Sequence, residues 1–277
     1  MSFFRKSIKH LLGNSGMGMI EFMIATATSL VIIAGLYNVY IFQDRTLDQQ
    51  DRLMKADQNA RFAMDMLTDE LRHLGLGIPE GIARITAADY QSITFLVNFN
   101  NVSAKLTGQA VSGAATLTVD NTSGFASGQT IYISDGLVAE SKVLASNPAG
   151  AIDLPSGLGS FFPTGSSVNV ADTVAISYDG ANFRIKRQLN ADPAVTLASG
   201  VDYMQFKYYD ANGNELGAIG TPPPDTSLIR RVKILIVTKT DREAAASSTV
   251  NYENGTSKTD GYQRIYLESD IRLRNML

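Results

Sequence analysis

The first strong pattern along the chain is a continuous apolar run near the amino terminus. From Met19 to Phe42, the only ionisable side chains are Glu21, Tyr37 and Tyr40. A helix of about 20 residues crosses the ~30 Å hydrocarbon layer of a bilayer, so this run is long enough to span a membrane. It also exceeds the ~7–15-residue apolar core of a secretory signal. The pattern therefore predicts a membrane-spanning helix.

The apolar run passes into an amphipathic stretch without a helix-breaking residue. No proline precedes Pro79, and Gly35 is the one glycine within the run. We therefore expect one helix over about residues 18–74, with Gly35 as its weakest point because glycine costs about 1 kcal/mol inside a helix. Apolar residues in the second half recur at three- and four-residue steps and predict a face that packs against strands. These residues are Leu53, Ala60, Met64, Leu67, Leu71 and Leu74.

Beyond Pro79 the apolar positions alternate with period two, which predicts strands. The Asp179-Gly180 and Asn212-Gly213 pairs are typical of hairpin turns. The predicted strands are 92–99, 115–119, 130–134, 173–179, 182–189, 201–210, 229–240 and 262–274.

Two segments depart from this regular alternation. Residues 104–170 are rich in Gly, Ser, Thr and Ala, which predicts a β-rich insertion beside the main sheet. The polar stretch 244–261 predicts a long mobile loop. The fold class expected from the whole pattern is α+β, with a long N-terminal helix packed on an antiparallel β-sheet.

Composition narrows the possible functions. The net charge is −3 and the chain has no cysteine and two histidines. The negative net charge gives no electrostatic support for a nucleic-acid partner. Without cysteine the chain has no thiolates for catalysis or metal binding, and two histidines offer few ligands for a histidine-based metal cluster. Nucleotide-binding and serine-hydrolase motifs are absent from the sequence, so we expect a protein that is not an enzyme.

Charges around the apolar run indicate its orientation. Arg5, Lys6 and Lys9 precede the run, whereas acidic residues predominate directly after it. The positive-inside rule places residues 1–16 in the cytoplasm and the bulk of the chain outside. An unpaired Glu21 deep in lipid would cost a few kcal/mol. It could lie at the interface near one end of the span, or it could have a dedicated partner.

The residues around Glu21 favour a dedicated partner. The stretch G-M-G-M-I-E, after a short basic leader, resembles the class III signal of type IV prepilins and pseudopilins. In that resemblance Gly16 precedes the site cleaved by prepilin peptidase, and Met17 becomes the new, N-methylated terminus. Glu21 then takes the fifth mature position, where the family's glutamate meets the terminal amine of a neighbouring subunit and sets the register of assembly. The sequence departs from the usual motif at Met17, where Phe is common, and at Gly18, where Thr is common.

Three further stretches resemble PilW-type minor pilins: residues 58–77, 123–136 and 270–275. The resemblance implies a minor pilin that helps to prime and assemble a type IV pilus, in a complex at the pilus tip. Its partners would be other minor pilins, the major pilin, prepilin peptidase and the inner-membrane assembly platform, with a tip adhesin as a further candidate. The precursor would lie in the inner membrane and the mature protein in the pilus at the cell surface.

The domain boundaries that follow are a leader at 1–16, a transmembrane helical half at 17–42, an amphipathic half at 43–77 and a β-rich periplasmic or extracellular domain at 78–277. Two other functions stay open. One is a minor pseudopilin of type II secretion, which the sequence hardly separates from a pilin. The other is a membrane-anchored binding domain, such as an adhesin, which never polymerises and keeps its leader.

One loop resembles the opening of a calcium site. Asp210, Asn212 and Asn214 alternate as calcium ligands do, but Glu215 replaces the expected glycine and Thr221 the bidentate glutamate. A plain hairpin turn is the favoured interpretation. We therefore expect neither a cofactor nor a metal, with calcium at this loop as a minor alternative.

Overall fold

The computed structural model describes residues 18–244 and 247–276. One helix, α1 (Met19–Arg72), precedes all of the strands. The chain divides into a first unit that ends at Asp51 and a second that begins at Arg52. The strands that follow α1 are β1 (Ile85–Asp89), β2 (Ser92–Val97), β3 (Ser103–Lys105), β4 (Thr116–Thr118), β5 (Thr130–Ser134), β6 (Ala139–Val143), β7 (Ala151–Asp153), β8 (Ser167–Val170), β9 (Asp172–Asp179), β10 (Arg184–Leu189), β11 (Val195–Ser199), β12 (Val201–Tyr209), β13 (Glu215–Leu216), β14 (Arg231–Lys239), β15 (Ser248–Asn251), β16 (Ser257–Asp260) and β17 (Arg264–Arg272).

The described part of the first unit is the apolar half of α1 together with the mostly polar residues 43–51. The helix continues through Gly35 without interruption. Its large apolar side chains are exposed, Ile20, Leu30 and Phe42 among them. This half therefore has no hydrophobic partner within its own unit.

Two antiparallel sheets and the second half of α1 form the main body of the second unit. One sheet has the strand order β1-β2-β9-β10-β11 and the other the order β13-β12-β14-β17. Helix residues on the amphipathic face share one core with both sheets: Leu67 and Leu71 are fully buried there with Phe95, Ile185 and Phe206. Burying such side chains supplies the hydrophobic free energy that holds the helix on the sheets.

The segment between β2 and β9 forms the β-rich insertion. β2 and β9 pair directly, with Phe95 opposite Val174, so the chain leaves the first sheet and returns beside the strand that it left. The insertion contains the four-stranded sheet β3-β8-β5-β6 and the β4-β7 pair. It has its own core, in which Ile131, Ile152 and Phe162 are completely buried.

Within the polar stretch 244–261, residues 248–260 form a β-hairpin, so the prediction of a long loop is wrong. β15 pairs with β16, with Thr249 opposite Thr259. Tyr252, at the turn of this hairpin, packs in a small buried cluster with Tyr203 and Val237 of the second sheet. The polar composition hid the hairpin because its anchoring side chains are aromatic and charged rather than aliphatic.

The α+β class and the β-rich insertion are confirmed, and the predicted helix differs from α1 by one residue at its start and two at its end. Each of the predicted strands overlaps an observed one. Both hairpin turns are present, because β9 pairs with β10 and β12 pairs with β13, both antiparallel.

Candidate functional site

The first turn of α1 uses Glu21 as an internal cap. The backbone N–H of Gly18 donates to Oε2 of Glu21 at 3.0 Å. The carbonyl of Gly18 accepts the first helical hydrogen bond, from the N–H of Phe22 at 3.1 Å. A glutamate three residues after the N-cap is the second half of a capping box, and its negative charge also suits the positive end of the helix dipole. Glu21 therefore has a local structural role in the single chain.

Three hydroxyl side chains in the apolar half make hydrogen bonds within the helix. The hydroxyl of Thr26 donates to the carbonyl of Met23 at 2.9 Å, and those of Thr28 and Ser29 donate to carbonyls four residues earlier at 2.8 Å. Hydrocarbon offers no partner to a free hydroxyl, so such pairing lowers the cost of placing these residues in lipid.

The apolar half meets the length and composition requirements of a membrane span. α1 contains an 18-residue window that is apolar enough to cross a bilayer, and none of that window is buried within the protein. A core helix of a soluble protein with this composition would be covered. The surface of this half is therefore suited either to lipid or to other apolar helices.

The leader residues predicted from the sequence lie outside the described residues. These are Arg5, Lys6, Lys9, Gly16 and Met17. Of the residues assigned by the prepilin resemblance, the structure describes Gly18, Ile20 and Glu21. The proposed roles of Gly16 and Met17 in processing stay predictions.

A buried carboxylate that the sequence analysis missed organises the second sheet and the β15–β16 hairpin. The side chain of Asp202, on β12, is completely buried. It accepts hydrogen bonds from the hydroxyl of Tyr252 at 2.6 Å, from Nζ of Lys258 at 2.9 Å and from Nε of Arg264 at 2.8 Å. Arg264 also holds both oxygens of Asp260 at 2.7 Å. We call these five residues the Asp202 cluster.

The Asp202 cluster shifts the titration of its members. Burial alone would raise the pKa of the Asp202 carboxyl, but hydrogen bonds from Tyr252, Lys258 and Arg264 lower that pKa to about 2. Burial and the hydrogen bond to Asp202 raise the pKa of the Tyr252 hydroxyl. The carboxylate is therefore charged at neutral pH, which is tolerable in the interior because it is paired on all sides.

Local sequence gave little sign of this cluster. Asp202 lies between Val201 and Tyr203 at the start of β12, and an acid among such neighbours was the one available signal, since a buried acid requires a partner. Its hydrogen-bond partners follow 50 to 62 residues later in the chain, and Lys239 of β14 lies 3.5 Å from the same carboxylate. The contacts leave no free carboxylate or nucleophile among the cluster residues, so the arrangement serves to hold the hairpin in place.

In the loop at 210–214, the carboxylate of Asp210 is hydrogen-bonded to groups of the loop itself. Oδ1 of Asp210 accepts from the backbone N–H groups of Asn212 and Asn214, both at 2.8 Å, and Oδ2 accepts from the Asn214 amide at 2.9 Å. Gly213 has φ of 88°, a conformation that favours glycine. These hydrogen bonds lower the pKa of the Asp210 carboxyl. They are the contacts of a hairpin turn, in which both carboxylate oxygens are already engaged.

Metal-binding arrangements are absent from the part of the chain that the structure describes. No group of three or more His, Cys, Asp or Glu side chains is placed to hold an ion among residues 18–244 and 247–276.

Comparisons with known proteins assign the chain to no family. No family model matches the sequence, and no curated protein matches it. Among solved structures, a type IV-like pilin from Thermus thermophilus matches with a TM-score of 0.33 and 9% sequence identity, over 80% of this chain and 98% of that one. A likeness of this size is too low to support an argument about fold or function.

Proposed function

We propose that the chain is a minor pilin that helps to prime and assemble a type IV pilus, in a complex at the pilus tip. The observation that carries the proposal is the two-part character of α1. Its first half is apolar and uncovered, with Glu21 in the first turn, whereas its second half belongs to the core of a β-rich domain. A subunit that leaves a bilayer to enter a bundle of helices needs this combination.

The domain organisation that accompanies this proposal is a leader at 1–16, a membrane half at 17–42, an amphipathic half at 43–77 and an outer domain at 78–277. Transfer of the apolar half from lipid to neighbouring helices would conserve its apolar burial, so extraction by an assembly motor is energetically feasible. The partners are other minor pilins, the major pilin and the inner-membrane assembly platform, after cleavage by prepilin peptidase. The role requires no catalytic group.

Glu21 has the most specific role in the proposal. In the single chain its carboxylate accepts from the Gly18 N–H. In the filament we assign it a second role, pairing with the N-terminal ammonium of a neighbouring subunit. A buried ammonium and a buried carboxylate are each costly alone but tolerable together, so the pair would select the correct register.

Two substitutions separate the capping role from the charge role. Glu21→Gln keeps an oxygen that can accept from Gly18, because Glu and Gln are both suited to this position of a capping box, but it removes the charge. Glu21→Ala removes both. If the charge sets the register, we expect both variants to insert in the membrane normally and to enter purified pili roughly tenfold less than wild type or worse, since breaking a buried ion pair costs a few kcal/mol.

The measurement is immunoblotting of membrane and sheared-pilus fractions from the native host. If Glu21→Gln enters pili at the wild-type level and Glu21→Ala does not, Glu21 acts by capping the helix rather than by its charge. Wild-type incorporation of both would contradict the assembly role. The type II pseudopilin alternative predicts the same dependence on Glu21, but the protein would then be recovered with the secretion apparatus rather than with pili.

A further inference from the structure

The second sheet ends in a strand whose outer edge is open. β17 pairs with β14 on one side and has no neighbour on the other among the described residues. The N–H of Thr240 donates to the Gln263 carbonyl at 3.0 Å, and the N–H of Leu273 donates to the Arg230 carbonyl at 2.9 Å. Hydrogen-bonded pairs alternate in an antiparallel ladder. The odd-numbered residues of β17 therefore bond to β14, and the even-numbered ones direct their backbone groups outward.

Four residues of β17 thus present unused backbone donors and acceptors: Tyr266, Glu268, Asp270 and Arg272. None of these N–H or carbonyl groups makes a hydrogen bond outside the β14 ladder in the described part of the chain. An open edge of this kind is the surface that β-strand addition uses, and proteins that do not use it normally block it. β17 contains neither a proline nor a bulge in its pairing with β14.

A basic groove runs between this edge and the last turns of α1. Its volume is about 540 Å³, and it is lined by Thr68 and Arg72 of the helix, by Ser269, Asp270, Ile271 and Arg272 of β17, and by Arg274 just beyond it. The three arginines are exposed. None of their guanidinium groups forms a hydrogen bond or an ion pair with another described residue. Free guanidinium groups that converge on one groove are suited to bind carboxylates in a bidentate manner.

The acidic side chains of β17 are already neutralised. Glu268 pairs with Lys233 at 2.6 Å, and Asp270 pairs with Arg231 at 3.0 Å, both on the adjacent strand β14. The uncompensated charge at the groove is therefore positive.

The charges also disfavour pairing of this edge with its copy in a second molecule. A symmetric antiparallel pairing centred on the four open residues would place Glu268 opposite Asp270 twice. Both acids are already paired with β14, so a copy of this edge would bring no free carboxylate to the three arginines. The open edge therefore fits a strand of a different polypeptide, one with carboxylates that the arginines of the groove can bind.

We propose that β17 accepts an extended acidic segment of a partner polypeptide as an added strand, with its carboxylates bound by Arg72, Arg272 and Arg274. The open backbone groups supply affinity, and the arginines select acidic sequences. The ring of Tyr266, 51% exposed at the opposite end of the edge, provides an apolar contact for the rest of the segment. This surface lies wholly in the second unit, so the inference is independent of the proposed role of the apolar half of α1.

The test uses the full chain in detergent micelles with two capped octapeptides, one of Val-Glu repeats and one of Val-Lys repeats. Both have the same strand pattern and opposite charge. We expect saturable binding of the Val-Glu peptide with slower amide hydrogen exchange at Tyr266, Glu268, Asp270 and Arg272, and no binding of the Val-Lys peptide. Equal binding of both peptides, or binding that leaves exchange at these four amides unchanged, would overturn the proposal.

Two variants test the edge and the charge separately. Glu268→Pro removes an outward N–H without removing a bond to β14, and Glu268→Ala is its matched control because it loses the Lys233 pair but keeps the N–H. We expect the proline variant to bind the Val-Glu peptide roughly 3- to 10-fold more weakly than the alanine control, the loss of about one hydrogen bond. The double variant Arg72→Ala, Arg274→Ala should bind it roughly tenfold more weakly or worse than wild type. If the proline variant fails to fold, the double variant still tests the proposal. Unchanged affinity of the double variant for the Val-Glu peptide would exclude recognition by the arginines.

Discussion

Replacement of Asp202 by asparagine is the most informative single change in the β-rich domain. Asparagine has the same shape but no charge, and its amide would direct an N–H group at one of three donors, since Tyr252, Lys258 and Arg264 all donate to the carboxylate. Arg264, whose side chain is 2% exposed, would keep Asp260 as a partner but lose its contact with a charged Asp202. The variant therefore leaves a buried cation partly uncompensated.

The magnitude follows from the titration of the carboxyl. Its pKa falls from 3.8 to about 2 on folding, although burial by itself acts in the opposite direction. Each unit of pKa corresponds to about 1.4 kcal/mol of preference for the charged form, so the cluster favours the carboxylate by about 2–3 kcal/mol. Removal of one partner of a buried ion pair costs about 3–5 kcal/mol in general. We expect Asp202→Asn to lower the free energy of unfolding by about 2–4 kcal/mol.

The assay is urea denaturation of the full chain in detergent micelles, combined with hydrogen exchange of β15 and β16. Asp270→Asn is the matched control, because Asp270 forms an ion pair with Arg231 that is 45% exposed on the carboxylate side. Exposed pairs of this kind contribute about 0–1 kcal/mol. The hairpin amides should lose protection in Asp202→Asn and keep it in the control. Equal small effects of the two variants would refute the structural role of the Asp202 cluster.

Two further predictions follow from the same domain. Because folding lowers the pKa of Asp202 to about 2, the unfolded chain binds more protons than the folded one below about pH 5, so stability should fall as the pH is lowered from about 5 to 2. Acid titrations should show a smaller loss of stability in Asp202→Asn than in wild type. Parallel titration curves for the two proteins would contradict the role of this carboxylate. Gly157→Ala should destabilise the insertion by about 1–3 kcal/mol, because the new Cβ would meet the backbone of Gly113 with its carbonyl carbon at 2.7 Å. Hydrogen exchange should show faster exchange in β4 and β7 and little change in β12 and β14, and unchanged exchange throughout would show that the backbone adjusts.

The sequence predicted those features that depend on local periodicity. α1 was predictable because it has no proline and because Leu67, Leu71 and Leu74 fall on one helical face. Long strands such as β12 and β14 were predictable because part of each, 204–208 and 231–234, alternates apolar and polar residues. The Asp179-Gly180 and Asn212-Gly213 turns depend on glycine at positions that few other residues tolerate.

Features that depend on contacts distant in sequence were not predictable. The β3 and β7 strands of the insertion are three residues long, which is too short to show a period. The β15–β16 hairpin is held by Tyr252 and Lys258 on Asp202, and no local pattern in a polar segment reveals such a partner. The open edge of β17 is likewise a property of the strand order rather than of the strand's own sequence.

Glu21 illustrates how structure and sequence contribute different parts of one account. Spacing from Gly16 and the apolar run supports a role in assembly. The structure adds a contact that spacing did not predict, the hydrogen bond from the Gly18 N–H. Both roles are compatible, because the cap uses one carboxylate oxygen and leaves the other available for a partner.

The central claim, that the chain is processed and assembled as a pilin, is tested most directly by the mass of its N-terminal peptide. The protein would be recovered from membranes and sheared filaments of its native host and digested before mass spectrometry. Our account predicts a peptide that begins at Met17, with a methylated amine. A stable protein whose peptide still includes residues 1–16 would contradict it, and would favour a membrane-anchored binding domain that never polymerises.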